Sequence, residues 1–171
     1  GTNTNAVFEE NKVNGTLAKD NYGGGAVCAG SGNVTITGYT FKDNTATNSN
    51  GGAVQLNSSS VVASMKACTF TGNKTVDTDT TDETKYGGGA ILSKSKIGIA
   101  DSTFTGNTAS DFGGAICMAY GELNVDACTF DANTSKEGGA IQTAKKAIVT
   151  KINDSVFKNN TSTNNGGAIC N

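Results

Sequence analysis

The chain of 171 residues contains no histidine, tryptophan, proline or arginine, since all 13 of its basic side chains are lysines. Without arginine there is no guanidinium fork for phosphate or guanine, and the net charge of −2 leaves no basic surface, so we expect no nucleic-acid partner. No apolar run approaches the roughly 18 residues that a membrane-spanning helix needs, so we expect no transmembrane segment. The missing histidine and arginine also remove two groups on which acid–base catalysis often depends.

The residues that are abundant form two repeated motifs. The first is Phe-x-x-Asn, which occurs at Phe8 and Asn11, Phe41 and Asn44, Phe70 and Asn73, Phe104 and Asn107, Phe130 and Asn133, and Phe157 and Asn160. The second is Gly-Gly-Ala-Val/Ile, whose glycines are Gly24 and Gly25, Gly51 and Gly52, Gly88 and Gly89, Gly113 and Gly114, Gly138 and Gly139, and Gly166 and Gly167. The two motifs alternate along the whole chain, which indicates a repeat architecture.

The spacing of the motifs predicts the geometry of one repeat. Successive phenylalanines are 26 residues apart from Phe104 to Phe130 and 27 apart from Phe130 to Phe157. This length suits one coil of a parallel β-helix, and stretches such as KIGIADSTF (96–104) show the alternation of a half-buried strand. We therefore predict an all-β, right-handed parallel β-helix of about six coils with three short strands each, forming one domain over residues 1–171. The arc 147–157 fits this register least well.

Each repeated residue has a predicted structural role, because a residue that recurs once per coil forms a column with a spacing of about 4.8 Å. The phenylalanines would stack internally, and the asparagines would form an amide ladder at a turn, where asparagine itself tolerates left-handed backbone. The glycine pairs would supply turn dihedrals that a Cβ forbids. The following column would face inward: Val27, Val54, Ile91, Ile116, Ile141 and Ile169.

Two arcs between Asn and Gly-Gly are longer than the others. The insertions span residues 12–23 and 74–87, and the repeat pattern places both on the same side of the solenoid. Such loops often form the binding face of a repeat protein. The second contains Asp77, Asp79, Asp82 and Glu83, which are weak candidates for a calcium site. Because the loop lacks the spacing and the glycine of a known calcium loop, we interpret it as a solvated acidic loop and expect neither metal nor cofactor.

Other polar groups have simpler interpretations. Asp101, Asp126 and Asp154 precede three of the phenylalanines at unequal offsets, and we interpret them as solvated bends rather than a catalytic cluster. Thr40, Thr69, Thr103 and Thr129 form an outward column that an ice-binding face would need, but Val7 and Val156 interrupt it, and β-branched strand residues explain it more simply.

The five cysteines fall into two classes. Cys28, Cys117 and Cys170 follow Gly-Gly-Ala-Val/Ile, whereas Cys68 and Cys128 lie two residues before a phenylalanine. No two members of a class are in adjacent coils, so no stack of disulfides is predicted. Cys117 and Cys128 share a coil and could meet across it, and buried free thiols are the state we expect for most of the five.

The alternation of FxxN with GGA(I,L,V) resembles the repeats of the chlamydial polymorphic membrane proteins and of similar surface proteins, over nearly the whole chain. This resemblance implies a right-handed β-helix displayed at the cell surface, often as the passenger of an autotransporter, with a role in adhesion to host cells. The residues that match are the Phe, Asn and Gly-Gly positions given above.

Three functions remain open at this point. The first is a surface-displayed adhesin, located extracellularly or at the cell surface, whose partner is a host-cell or matrix protein or a glycan. The second is a self-associating structural or filament protein, because β-helix ends without a polar cap invite end-to-end stacking. A polysaccharide-active enzyme ranks third, and we expect no enzyme. The opening GTNTN and the end at GGAICN lead us to expect a fragment of a longer protein.

Overall fold

The alternating stretches of the sequence form short parallel strands in a computed structural model, which describes residues 5–15, 23–59, 61–78, 87–144 and 146–171. The strands found in these residues are, in chain order, β1 (Val7–Glu9), β2 (Lys12–Asn14), β3 (Val27–Ala29), β4 (Asn33–Thr37), β5 (Thr40–Lys42), β6 (Thr45–Thr47), β7 (Val54–Leu56), β8 (Val62–Lys66), β9 (Thr69–Thr71), β10 (Lys74–Val76), β11 (Ile91–Ser93), β12 (Lys96–Ala100), β13 (Thr103–Thr105), β14 (Ile116–Met118), β15 (Gly121–Asp126), β16 (Thr129–Asp131), β17 (Thr134–Glu137), β18 (Ile141–Thr143), β19 (Ala147–Asn153), β20 (Val156–Lys158), β21 (Thr161–Asn165) and β22 (Ile169–Cys170).

Strands that occupy the same position in successive coils pair in parallel, which builds a β-helix of about five turns. The Phe sheet has the order β1-β5-β9-β13-β16-β20, and the Gly sheet, formed by the strands that follow Gly-Gly-Ala, has the order β22-β18-β14-β11-β7-β3. The long sheet has the order β19-β15-β12-β8-β4. The predicted fold class is therefore confirmed.

The number of strands in each coil was underestimated from the sequence. A further strand follows the asparagine of the FxxN motif and forms the corner sheet, with β10-β6-β2 and β17-β21 as its two parts within the described residues. Bridges at Thr108 join the two parts, because Thr108 pairs with both Lys74 and Thr134. These segments were missed because KVN, TAT, KTV and TSKE share no apolar alternation.

The core is a set of inward columns contributed by the Phe, Gly and long sheets. In the central coils the predicted apolar column of the Gly sheet is fully buried, with Val54, Ile91, Ile116 and Ile141 all at 0% exposure. Val27 and Ile169, in the outermost described coils, are partly buried and pack against the core. The inward column therefore follows the prediction along the described β-helix.

The arcs that deviate from the repeat also have a structural explanation. In the fifth arc, β15 pairs with β19 through a register shift between Leu123 and Asn124, so the irregular spacing of residues 147–157 is a β-bulge. The predicted insertions are shorter than expected at their starts, because Lys12–Asn14 and Lys74–Val76 are strands of the corner sheet. Both strands flank β6 in that sheet, so both insertions leave the same side of the solenoid.

Candidate functional site

The six phenylalanines of the FxxN motif form one continuous stack inside the β-helix. Register pairs each ring with its counterpart in the next coil, and adjacent ring centroids lie 4.7–5.1 Å apart with interplanar angles of 8° or less. The four central rings are fully buried. The stack is thus a core element, as predicted, and its four central rings present no surface to a ligand.

The six asparagines of the same motif form the predicted amide ladder. The Nδ2 of each of the first five donates to the Oδ1 of the asparagine in the following coil, over 2.8–3.0 Å. The second Nδ2 hydrogen donates to the carbonyl of the phenylalanine one coil back, as Asn107 does to Phe70 at 3.0 Å. The Oδ1 also accepts the preceding asparagine's backbone N–H, so a central amide makes four hydrogen bonds.

The left-handed backbone of this turn is not at the asparagine, so that part of the prediction was wrong. Positive φ occurs one residue earlier, at positions such as Asp43 (53°), Gly106 (62°) and Asn159 (55°). The asparagine is needed instead for its side-chain amide, because a buried turn must provide partners for its backbone groups.

The two glycines of each pair are required for different reasons. Gly113 has a φ of +58°, and a Cβ there would lie 2.0 Å from the carbonyl oxygen of Ile116. Gly114 has no positive φ, but a Cβ would lie 2.1 Å from the carbonyl oxygen of Gly139 in the next coil. The prediction that both glycines supply turn dihedrals therefore holds only for the first, and the second permits close packing of coils.

The acidic candidates do not form a cluster in the part of the chain that can be described. Asp79, Asp82 and Glu83 lie outside the described residues, and the backbone N–H of Asp77 donates to the Oγ of Ser110 at 2.8 Å. No group of three metal-ligating side chains occurs among the described residues. Asp101, Asp126 and Asp154 are exposed, as expected for solvated bends, and Asp101 and Asp154 occupy left-handed positions.

The outer face of the Phe sheet carries the threonine column in the predicted register. Thr40, Thr69, Thr103 and Thr129 are aligned, and Val7 and Val156 end the column. A second outward column of the same sheet consists of the residues that directly follow the phenylalanines. It contains the ion pairs Lys42–Glu9 and, at 3.4 Å, Lys158–Asp131. The threonines are therefore bordered by charged side chains, which favours the interpretation as ordinary strand residues.

All five cysteines are free. Cys68, Cys117 and Cys128 are buried, which agrees with the expected state for most of them. The thiol of Cys128 donates to the carbonyl of Asp126 at 3.2 Å, whereas the thiol of Cys117 donates to the Oε1 of Gln142 at 3.3 Å on the outer side of the Gly sheet. These two cysteines thus do not meet across the coil.

A groove of about 690 Å³ runs along the outer side of the Gly sheet. Its floor is the middle column of the sheet, which the strand register aligns as Leu92, Cys117, Gln142 and Cys170. Four successive coils contribute one floor residue each, so the floor is about 14 Å long at a spacing of about 4.8 Å. Leu92 and Cys117 form the deeper part of the floor, since each is only 5% exposed. Because both side chains are apolar, this part of the floor is apolar.

The two walls of the groove differ in charge. One wall is the column of residues before Gly-Gly, in which bridges align Gly87, Phe112 and Glu137. The other wall contains Ala119, Ala144 and Lys94. Gly87 is the last residue of the second insertion, so the groove begins where that insertion rejoins the β-helix.

Lys94 is the cationic side chain of this groove. Its Nζ donates to the Oδ1 of Asn57 at 2.9 Å, and no ion pair joins it to a carboxylate of the described residues. Partial burial lowers the pKa of Lys94 from its usual range. On the floor, burial raises the pKa of the Cys117 thiol to about 12, so this thiol is neutral at physiological pH.

The sequence did not indicate the groove. Its floor and walls occupy motif-adjacent positions whose residue types change from coil to coil, so no repeated letter marks them. A signal was available in the outward position after Gly-Gly-Ala-Val/Ile, which holds none of the charged residues that an exposed strand face usually carries: Cys28, Gln55, Leu92, Cys117, Gln142 and Cys170.

These columns define the class of protein as a repeat protein with a parallel β-helix fold. No solved structure matches the chain. A family model does: the Chlamydia polymorphic membrane protein repeat matches residues 67–94, 101–119, 127–144 and 154–171. The chain therefore belongs to the repeat family of the polymorphic membrane proteins (Pmp), as its motifs predicted.

Three curated relatives are similar to the chain. The "Probable outer membrane protein pmp20" of Chlamydia pneumoniae is 39% identical over 70% of the chain, and "Probable outer membrane protein pmp6" of the same organism is 27% identical over 94%. The "Metabotropic glutamate receptor-like protein R" of Dictyostelium discoideum is 34% identical over 85%. The chain spans only 8–11% of the length of these relatives. None of its described residues forms a helix of the length and hydropathy needed to cross a membrane.

Proposed function

We propose that the chain is part of a surface-displayed attachment protein, and that the insertion side of its β-helix contacts a ligand on a cell or in the matrix. The Pmp relatives are named as outer membrane proteins, which supports a location at the cell surface. None of the three relatives carries the name of an enzyme. The single observation that carries the proposal is the position of the groove directly beside the root of the second insertion.

Both insertions lie on one side of the solenoid, and this supports the choice of that side as the contact surface. The Phe, Asn and Gly columns are internal and repeat in each coil, so these residues stabilise the fold and do not contact a ligand. By contrast, both insertions start from the corner sheet and end before the Gly sheet, which puts the variable residues on one side. In repeat proteins such a side commonly serves for binding.

The register offers a clean test of this proposal. Deleting residues 78–86 joins Asp77 to Gly87 and leaves five residues between Asn73 and Gly88, the number found between Asn107 and Gly113. Since Lys74 and Gly87 already pair with Thr108 and Phe112, the shortened arc should keep its register. We expect the deletion variant to melt like the parent and to attach less to host cells or matrix.

A substitution on the outer face of the Phe sheet is the control. Thr105→Ala changes an exposed residue of the Phe sheet and should leave attachment unchanged. If the folded deletion variant attached as well as the parent, the insertion side would not be the contact surface. If the parent itself did not attach to any cell or matrix preparation, the attachment function would be rejected.

Self-association is the second candidate, and the polarity of the amide ladder favours it. Each inner rung donates one Nδ2 hydrogen to the carbonyl of the phenylalanine one coil back and the other to the asparagine of the next coil, as Asn107 does to Phe70 and Asn133. Two coils with the FxxN motif are therefore complementary to each other, including coils that belong to two copies of the chain. Filaments in electron micrographs of concentrated protein would support this candidate, and strictly monomeric particles would remove it.

A further inference from the structure

The groove on the Gly sheet has a chemistry that selects a class of ligand. We propose that it binds an acidic glycan, with a sugar carboxylate at Lys94, the apolar face of a ring on Leu92 and Ala119, and hydroxyl groups at Glu137. The inference rests on the proposed attachment function and names the ligand class for that side of the β-helix. The volume of the groove, about 690 Å³, lies within the range of small-ligand sites.

The carboxylate position follows from Lys94. Its ammonium is half-buried and donates to a neutral amide oxygen on Asn57, rather than to a carboxylate of the described residues. A charge-assisted hydrogen bond to an anion is stronger than one to a neutral acceptor, and it gains further where water is partly excluded. An incoming carboxylate would therefore find a cation that the described part of the protein has not neutralised.

The opposite wall explains why the ligand should carry hydroxyl groups as well. Glu137 lies in the coil two positions beyond Lys94, which is about 10 Å along the solenoid axis at the spacing of stacked coils. A carboxylate accepts hydrogen bonds from hydroxyls but repels a second anion. A single acidic sugar at Lys94 with neutral hydroxyls extending toward Glu137 satisfies both walls.

The backbone of the Gly sheet argues against a peptide ligand. Its N–H and C=O groups already bond along the solenoid axis, as Ile91 N does to Ala115 O at 2.9 Å and Ala119 N to Ser93 O at 2.8 Å. The groove lies on the face of the sheet, so it has no open strand edge on which a peptide could add. A peptide there would leave its own backbone groups without regular partners, whereas sugar hydroxyls can pair with side chains.

The test compares acidic and neutral sugars on the intact chain. Sialyllactose, which carries one carboxylate, serves as the acidic probe, lactose serves as the neutral match, and binding is followed by calorimetry or by ligand-observed NMR. We expect sialyllactose to bind about tenfold or more tightly than lactose, and this preference to fall as salt is raised.

Variants locate the binding. Lys94→Gln should weaken binding of the acidic probe about tenfold while leaving lactose unchanged, and Lys94→Arg should retain the preference. Lys96→Gln is the matched control, because Lys96 is an exposed lysine of the long sheet that pairs with Glu122 at 2.8 Å. Glu137→Gln should raise the affinity for the acidic probe, since the amide still accepts a hydrogen bond but no longer repels the sugar carboxylate.

Each outcome decides the question. The inference is overturned if sialyllactose and lactose bind alike, if sialyllactose does not bind, if Lys94→Gln matches Lys96→Gln, or if an acidic peptide binds in the groove more tightly than sialyllactose. Attachment of the parent to cells that continues with Lys94→Gln would remove the glycan site and leave the attachment function standing. Loss of attachment in the deletion variant alone would place the contact outside the groove.

Discussion

The side-chain amide of Asn73 donates to the Oδ1 of Asn107 at 3.0 Å, and the same oxygen accepts the backbone N–H of Asn73 at 3.0 Å. Both residues are fully buried. One oxygen atom thus serves two donors from the coil before it, in a place that water does not reach. The stability of the corner therefore depends on the side-chain type at a single position in each coil.

Asn107→Ala should be strongly destabilising. The substitution leaves two buried donors of Asn73 and the carbonyl of Phe70 without their partner, and each such loss costs about 1–3 kcal/mol, so we expect a decrease of about 4 kcal/mol in the free energy of unfolding. Urea unfolding measures it. Asn33→Ala is the control, because Asn33 is exposed and its removal should change stability by less than about 0.5 kcal/mol. A similar loss in both variants would contradict the role given to the ladder.

Gly114→Ala tests the close approach of coils. A Cβ at Gly114 would lie 2.5 Å from the backbone nitrogen of Thr134, so the variant should lose about 3 kcal/mol or more although its φ is not left-handed. Gly98→Ala is the matched control, since a Cβ there meets no atom within 4 Å. We expect that control to be neutral or stabilised by about 0.5 kcal/mol, because alanine restricts the unfolded chain. Thermal melts of the two variants give the comparison.

Cys117 should make stability depend on alkaline pH. The thiol ionises near pH 9.0 when unfolded, and its pKa of about 12 in the folded chain means that folding disfavours the thiolate. The contribution is therefore intact below about pH 9 and is lost as pH rises toward about 12. Against Cys117→Ser, which does not ionise there, the parent should lose about 2 kcal/mol between about pH 8 and about pH 10.5. A constant difference over this range would mean that the thiol is not buried.

Thiol-specific labelling checks the positions of all five cysteines. Cys28 is exposed and Cys170 is half-buried, whereas Cys68, Cys117 and Cys128 are buried. With Ellman's reagent at neutral pH, Cys28 should react first, Cys170 more slowly, and the other three only after unfolding, because the exposed thiolate is the reactive species. Cys28→Ser should remove the fast phase. Rapid reaction of a third thiol in the folded chain would show that a buried position has been misplaced.

The internal columns could be predicted from the sequence because each is fixed by one residue type that recurs once per coil. Phe104 and Asn107 have the same neighbours above and below as Phe70 and Asn73, so spacing alone determined their contacts. The inward column at Ile116 followed for the same reason. In these columns, each residue that recurs in the sequence contacts its counterparts in the adjacent coils.

The features that escaped prediction depend on backbone detail or on residues that do not recur. The motif does not show which residue of the FxxN turn takes positive φ, because the position that does so holds a different residue in different coils, such as Asp43, Gly106 and Ala132. The corner sheet has no shared side-chain pattern, because backbone hydrogen bonds rather than apolar packing hold it in place. The charge of the groove comes from Lys94 and Glu137, which appear in single coils.

The uniform direction of the asparagine ladder has a consequence for how such chains can change in length. Each of the four inner amides donates toward the following coil and back to the preceding phenylalanine, so a rung does not distinguish one neighbour from another of the same kind. A whole coil can therefore be gained or lost by recombination without redesign of the junction, provided that the cut preserves the FxxN and Gly-Gly register. The internal columns then stay the same while loops and grooves change their positions along the solenoid axis. The outer surface can therefore diversify while the scaffold is kept.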